Sequence, residues 1–258
     1  MRTNLEKSIE RTGIPGISVV SVMPDSNPVT EQAGIIANRD VADKTVVKKD
    51  TIFEAASLSK PVFAYIVLKM VQNGELNLNT PLYEYYPEPK EGEGYTEKNG
   101  FGPPELREHP NYKKLTAGLI LSHQAGLPNE FLPQKNNPAL PDFKYVSSDV
   151  GKKFDYSGEA YCFLLEVVQK ITGKELEQLA QEIFLEMKEF AGNPMTHSSF
   201  HPPADISNLA VGHLKDGKID PQRHFYFSHP AASLYTTAED YGLFMKACMR
   251  SFYKETSF

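Results

Sequence analysis

From Leu58 onward the apolar residues Val62, Phe63, Ile66, Met70 and Val71 recur at three- and four-residue spacing, and the run closes at Asn73-Gly74. That period predicts a long buried helix with a glycine stop. Upstream the pattern differs: Gly16 to Met23 is β-branched and apolar, Pro24 to Pro28 supplies turn chemistry, and Glu31 to Asn38 resumes the apolar run, which predicts a hairpin. Further helices are predicted at Ala117 to Ser122, at Glu159 to Thr172 closed by Gly173, at Lys174 to Lys188, and at about Ala238 to Arg250. Thr237 is the expected N-cap of the last, with Asp240 three residues on in a capping-box position. A small hairpin is expected at Ala210 to Ile219, turning through Asp216-Gly217. Tyr86 to Asn111 and Pro128 to Pro141 carry Pro, Gly and polar residues without a period and are expected as surface loops. Strands followed by a helical block predict an α+β protein with a helical lobe. The expected division is strands over 1–56 and a mainly helical lobe with long loops over 57–258, in one domain.

Composition narrows the function. The 258 residues carry 27 basic and 33 acidic side chains, a net charge of −6, so no broad cationic field exists to gather phosphate backbones, and nucleic acid is not an expected partner. No apolar run approaches the roughly 20 residues of a membrane span. The N-terminal residues are charged, without the apolar stretch of a secretory signal, so the expectation is a soluble cytoplasmic protein, or a periplasmic or secreted one if a leader has been removed. Cys162 and Cys248 stand far apart and predict ordinary buried thiols, with no disulfide framework or metal knuckle.

Three segments could carry chemistry. Ser57-Leu58-Ser59-Lys60 places a serine and a lysine one turn apart at the mouth of the long helix, where Lys60 could reach the Ser57 hydroxyl and the helix dipole would favour developing negative charge. Alone the spacing is weak, because it recurs at Ser251 to Lys254, and a serine N-cap followed by a solvated lysine explains it as well. Phe154-Asp155-Tyr156-Ser157-Gly158 is a short loop feeding a helix; Tyr156 beside an ammonium could shuttle a proton, or simply pack its ring at a lobe surface. In Leu121 to Pro128, Ser122 and His123 are sequence neighbours and cannot act as nucleophile and base on each other, which points to a structural role. His197 and His201 have metal-like spacing, but Pro202-Pro203 follow and no carboxylate lies between, so no zinc helix is expected.

Taken together, Thr51 to Pro61, Asn73 to Leu82, Leu121 to Pro128, Tyr156-Ser157-Gly158 and Leu234 to Asp240 resemble, in order and over nearly the whole chain, the serine β-lactamase-like family. That family includes class C β-lactamases, D-alanyl-D-alanine peptidases and related esterases. The resemblance implies a β-lactamase/transpeptidase-like fold, a helical lobe packed on an antiparallel sheet. It implies an acyl-enzyme mechanism on a lactam, amide or ester carbonyl, with Ser57 as nucleophile and Lys60 and Tyr156 as proton carriers. The Ser57 backbone N–H would be one oxyanion donor. The implied partner is a small-molecule or peptide substrate, with no metal or organic cofactor.

Two departures shape the expectation. Penicillin-hydrolysing relatives usually carry Tyr-x-Asn, whose asparagine meets the substrate's side-chain amide; here that substrate-binding position is Gly158, which tilts the reading toward an esterase or peptidase-like enzyme. Relatives also continue past the segment matching Tyr235 to Asp240 into strands bearing a Lys-Thr-Gly or His-x-Gly motif. The resemblance therefore implies a sheet whose C-terminal strands are missing from this chain. Losing one oxyanion donor costs about 10² to 10³ in turnover, so impaired catalysis by the chain as it stands is implied too. The alternative is a non-catalytic binding or assembly protein keeping the fold and using its cleft or Tyr83, Tyr85 and Tyr86, or an inactive fragment of the enzyme.

Overall fold

The computed structural model describes residues 4–38, 41–87, 90, 94, 96, 98–127, 129, 150–214, 218–219 and 228–253. The chain forms an α+β fold that divides into two compact units, one drawn from Met1–Ala56, Glu177–His229 and Ser233–Phe258, the other from Ser57–Leu176 and Pro230–Ala232.

In the first unit, α1 (Asn4–Thr12) precedes a three-stranded antiparallel sheet of β1 (Gly16–Ser21), β2 (Val29–Asn38) and β3 (Val41–Val46) in that order. The predicted hairpin is β1–β2, with Gly16 opposite Gly34 and Ser21 opposite Val29. Gly34 has φ +101°, and a Cβ there would strike the Pro15 carbonyl oxygen, so this position needs glycine. A second, two-stranded sheet pairs β4 (Phe53–Glu54) with β5 (Tyr235–Thr236). Both α1 and α7 (Ala238–Tyr253) lie on the larger sheet, and α7 comes close because Gly242 has no Cβ to meet Val20. From α7, buried Lys246 donates to the carbonyl of Ala191 at 2.8 Å and Arg250 to that of Phe190 at 2.9 Å. These are carbonyls of the last turn of α6 (Leu176–Ala191), at the negative end of its dipole.

The expected capping box at α7 is half formed. Thr237 Oγ1 accepts from the Asp240 amide at 3.1 Å, as an N-cap should. The Asp240 carboxylate does not return the bond; it accepts from the His197 amide at 2.7 Å and the Ser198 hydroxyl at 2.9 Å. Burial pushes its pKa up and outweighs those hydrogen bonds, which pull it down. A strand-helix junction is thereby tied to the 197–198 segment.

The second unit holds α2 (Ser59–Gln72), α3 (Pro104–Arg107), α4 (Ala117–Leu121) and α5 (Glu159–Thr172), with α4 packed on α5. Val62, Phe63, Ile66 and Met70 of α2 are buried as the period predicts, joined by Val67, while Val71 is only half-buried; Leu164, Val167 and Val168 of α5 are buried too. Gly173 closes α5 at φ +68°, where a left-handed residue ends a helix without a Cβ penalty.

The expectation of a surface loop over Tyr86 to Asn111 needs correction. Phe101 and Leu106 are fully buried and Asn111 nearly so. The Phe101 amide donates to the Tyr112 hydroxyl at 3.0 Å, the Gly102 amide to Glu166 at 2.8 Å, and Arg107 Nε to the Gly102 carbonyl at 2.8 Å. Single anchors spaced irregularly leave no period, yet they fix the segment as firmly as a helix face would. The tyrosine trio is also engaged within this unit. Tyr85 accepts from the Asn77 amide at 2.7 Å, Lys113 lies 5.3 Å from the Tyr83 ring, and Tyr86 meets Phe101 at 6.2 Å. Apart from Asn129, most of Pro128 to Pro141 lies outside the described residues, as do Lys254 and the Asp216-Gly217 turn. That turn is flanked by an antiparallel bridge between His213 and Ile219.

Candidate active site

Ser57 precedes the first turn of α2 and does not cap it: Leu58 occupies the N-cap position, without a side-chain cap bond. The Ser57 hydroxyl is instead held between two other side chains. Lys60, one turn on, donates from Nζ to Ser57 Oγ at 3.1 Å, and the Tyr156 hydroxyl meets the same Oγ at 2.8 Å. All three residues belong to the second unit. The plain alternatives for Ser57 and Lys60, a capping serine and a solvated lysine, therefore do not describe them.

Lys60 is 7% exposed. Its head also donates to the Ala231 carbonyl at 3.0 Å and lies 4.6 Å from the centre of the Tyr156 ring and 5.8 Å from that of Tyr161. Two hydrogen-bond acceptors and two ring faces offset the cost of taking such a group out of water.

Two phenols share this region, and their environments drive them apart. Burial acts to raise the pKa of Tyr156, but hydrogen bonds to Lys60 and Ser57, with Lys60's charge, outweigh it and hold the phenol below its ordinary value. Tyr161 is pushed up to about 12 by burial and then by Tyr156. The two rings thus differ in how readily they ionise, Tyr156 more easily than Tyr161.

The loop that carries Tyr156 is fixed from both sides. Ser157 is buried, and its hydroxyl accepts from the Ala160 amide at 3.0 Å, satisfying an orphan donor at the start of α5. From the end of α4, the His123 carbonyl accepts from the Asp155 amide at 2.7 Å and the Gln124 carbonyl from the Gly151 amide at 2.9 Å. The His123 ring stacks on Tyr156 with centroids 4.5 Å apart. Nothing in the sequence segment marks this beyond the Gly126 turn downstream.

At Gly158, a Cβ would come 3.7 Å from Lys60 Nζ, 3.5 Å from the Ala231 methyl and 3.4 Å from Asn129 Oδ1. The Gly158 amide donates to that same Asn129 oxygen at 2.8 Å. Sequence reasoning missed Asn129, which sits in a loop read only as an excursion.

The other candidates lie elsewhere. His197 is in the first unit, its Nδ1 3.9 Å from Asp240 Oδ1, and no helix runs through 197–201. Cys162 and Cys248 are half-buried and not disulfide-bonded. Burial raises both thiol pKa values, that of Cys248 to about 11, which keeps them protonated near neutral pH.

A serine, a lysine a turn below it and a distant tyrosine on one oxygen are the features the resemblance required, and sequence comparison supplies the deciding observation: the Beta-lactamase family model matches residues 1–255. The chain belongs to the Beta-lactamase family. A curated relative, "Protein flp" of Staphylococcus aureus (strain MRSA252), is 23% identical over 252 residues, covering 92% of this chain and 46% of its own length. Among solved structures, a class C β-lactamase mutant superposes with a TM-score of 0.72 at 20% identity, over 98% of this chain and 65% of its own. The D-alanine carboxypeptidase AmpC from Burkholderia cenocepacia gives 0.67 at 23%, over 95% and 62%. These superpositions show a shared fold. The chain spans about half the length of the curated relative and less than two thirds of these solved chains. Among the described residues, no helix is long and apolar enough to cross a membrane.

Proposed function

We propose that this Beta-lactamase family member is a serine hydrolase working through an acyl-enzyme, with Ser57 as nucleophile. The observation that carries the proposal is Ser57 Oγ held 3.1 Å from Lys60 Nζ and 2.8 Å from Tyr156 Oη. A nucleophile within hydrogen-bond reach of its base, the base itself oriented by a third group, is the arrangement covalent catalysis requires. With Tyr156 ionised beside the Lys60 ammonium, Ser57 Oγ bonds to the carbonyl carbon as its proton passes to the phenolate oxygen, which becomes the phenol. The leaving group takes a proton from the Tyr156–Lys60 pair as its bond to carbon breaks. Water then adds to the acyl-enzyme by the reverse route, releasing the acid and restoring Ser57. The Ser57 amide serves as one oxyanion donor.

The substrate is an ester, amide or β-lactam carbonyl, with ester or peptide-like compounds preferred over penicillins. Support for that preference is Gly158, which offers no side chain for a substrate amide. The test compares hydrolysis of a chromogenic ester with that of a chromogenic cephalosporin, in the wild type and in Ser57→Ala. Ester hydrolysis that needs Ser57 and exceeds cephalosporin hydrolysis is the expected result; cephalosporin turnover well above ester turnover would reverse the preference, and activity surviving in Ser57→Ala would remove the nucleophile.

A further inference from the structure

Among the described residues, the backbone takes a positive φ outside glycine at two places, Ala56 at φ +45° and His123 at φ +56°. One immediately precedes Ser57; the other belongs to the residue stacked on Tyr156. Non-glycine residues avoid this region, and where the surrounding structure holds them in it, a functional site is commonly close by. His123 is held by its own amide donating to the Ile120 carbonyl at 3.0 Å and by its carbonyl accepting from Asp155 at 2.7 Å. That conformation turns the ring into the space between the end of α4 and the Tyr156 loop.

The ring then makes a set of contacts centred on Tyr156. It stacks on Tyr156 at 4.5 Å with an interplanar angle of 29°, meets Tyr161 at 5.4 Å and takes the Phe154 ring at 5.5 Å edge-on. Its Nδ1 accepts from the Ser157 amide at 3.2 Å. An accepting Nδ1 puts the ring hydrogen on Nε2 and requires the neutral imidazole.

We propose that His123 is a positioning residue for Tyr156: as a neutral ring it clamps the phenol's face and accepts from the next residue's amide, so that the phenol oxygen stays on Ser57. The inference rests on the serine hydrolase reading for its functional meaning, while the clamp itself is a statement about Tyr156. The charged and titratable groups facing the ring are Lys60 from α2, Tyr156 from the loop and Tyr161 from α5. Burial and then Lys60's charge both lower the imidazole's pKa, which favours the state that the clamp needs. Protonation would set an N–H against the Ser157 N–H and place a second positive charge near Lys60.

The test uses His123→Asn, because asparagine tolerates positive φ and its carbonyl still accepts from Ser157, so the ring is what is lost. Two readouts are taken. The first is the titration of Tyr156 by phenolate absorbance, with Tyr156→Phe as the blank. The second is the rate at which a fluorophosphonate, losing fluoride, phosphonylates Ser57. In the variant, Tyr156 titrates closer to its ordinary value, and labelling slows by about 10- to 100-fold, the scale set by a misplacement near 1 Å. Unchanged titration and labelling would overturn the proposal. In the wild type, Tyr156 ring proton signals should move as His123 titrates, at a pH below the ordinary histidine midpoint. Ring signals indifferent to that titration would also overturn it, without relying on any variant's folding. If wild-type Ser57 takes no label, the hydrolase reading fails, and the two titrations still decide the clamp.

Discussion

Replacing Tyr156 by phenylalanine removes one oxygen and little else, so it separates reactivity from folding. The ring would remain stacked on His123 and beside Lys60. What goes is the 2.8 Å bond to Ser57 Oγ. Tyr156 is 38% exposed, and a hydrogen bond in such a setting contributes about 0.5–1.5 kcal/mol net, with partial exposure favouring the low end. Loss of a positioned general base costs about 10² to 10⁴ in rate, which is roughly 2.7 to 5.4 kcal/mol in the barrier. The rate effect therefore exceeds the stability effect several-fold. Urea unfolding measures one and fluorophosphonate labelling of Ser57 the other. The pH profile adds a sign. Because the folded pKa of Tyr156 lies below its ordinary value, wild-type labelling rises with pH with its midpoint below about 10. Within the same window the unfolded chain holds a proton that the folded chain has released, so this group makes stability rise with pH. Both trends vanish in the variant. A Tyr156→Phe protein that labels at the wild-type rate with the same pH profile would exclude Tyr156 as the proton acceptor.

Lys60→Met removes the donor to Ser57 and Ala231 and leaves the Ala231 carbonyl without that bond. Losing a hydrogen bond from a charged donor costs about 1.5–3 kcal/mol, partly offset because a buried charge is gone; calorimetry should show a modest loss of stability while labelling nearly stops, and unaltered labelling would exclude Lys60 from the proton path. Gly158→Ala meets only ordinary contacts of 3.4 Å and longer, so its stability in urea should change by less than about 0.5 kcal/mol; a loss of several kcal/mol would show that no side chain fits there. Asp240→Asn keeps an oxygen to accept from His197 and Ser198, whereas Asp240→Ala takes the acceptor from the His197 amide and leaves the Ser198 hydroxyl only Thr236 Oγ1 at 2.7 Å, and should cost about 1–3 kcal/mol more. Asp240's raised pKa means that the folded chain holds a proton the unfolded chain has lost, so its contribution is greatest at low pH and falls as pH rises through the folded value. The Asn variant should flatten that dependence in melting curves taken at a series of pH values, and an unchanged pH profile would show that Asp240 does not cause it.

Where apolar residues repeat, the chain announced its own structure. α5 was legible to the residue because a buried stripe ends at a glycine, and Ser57 and Lys60 were legible because one helical turn links them. Position mattered as much as spacing, since the same pair of residue types recurs at Ser251 to Lys254. Features set by single long-range contacts were hidden. Phe101 and Leu106 anchor a segment with no period, and Asp240 looked like a cap partner until the 197–198 segment claimed its carboxylate. His123 was read as structural because its sequence neighbour Ser122 could not be its partner; its actual partner lies 33 positions away, at Tyr156. Asn129 was invisible because its bond runs to a backbone amide, for which no residue type gives a signal.

The central claim is that Ser57 Oγ is made nucleophilic by Lys60 and Tyr156. Its most direct measurement is intact-mass and peptide mapping after fluorophosphonate treatment of the wild type, Lys60→Met and Tyr156→Phe at matched exposure. One adduct, on Ser57, is expected in the wild type and nearly none in either variant. No adduct on wild-type Ser57, or equal adduct in all three proteins, would contradict it.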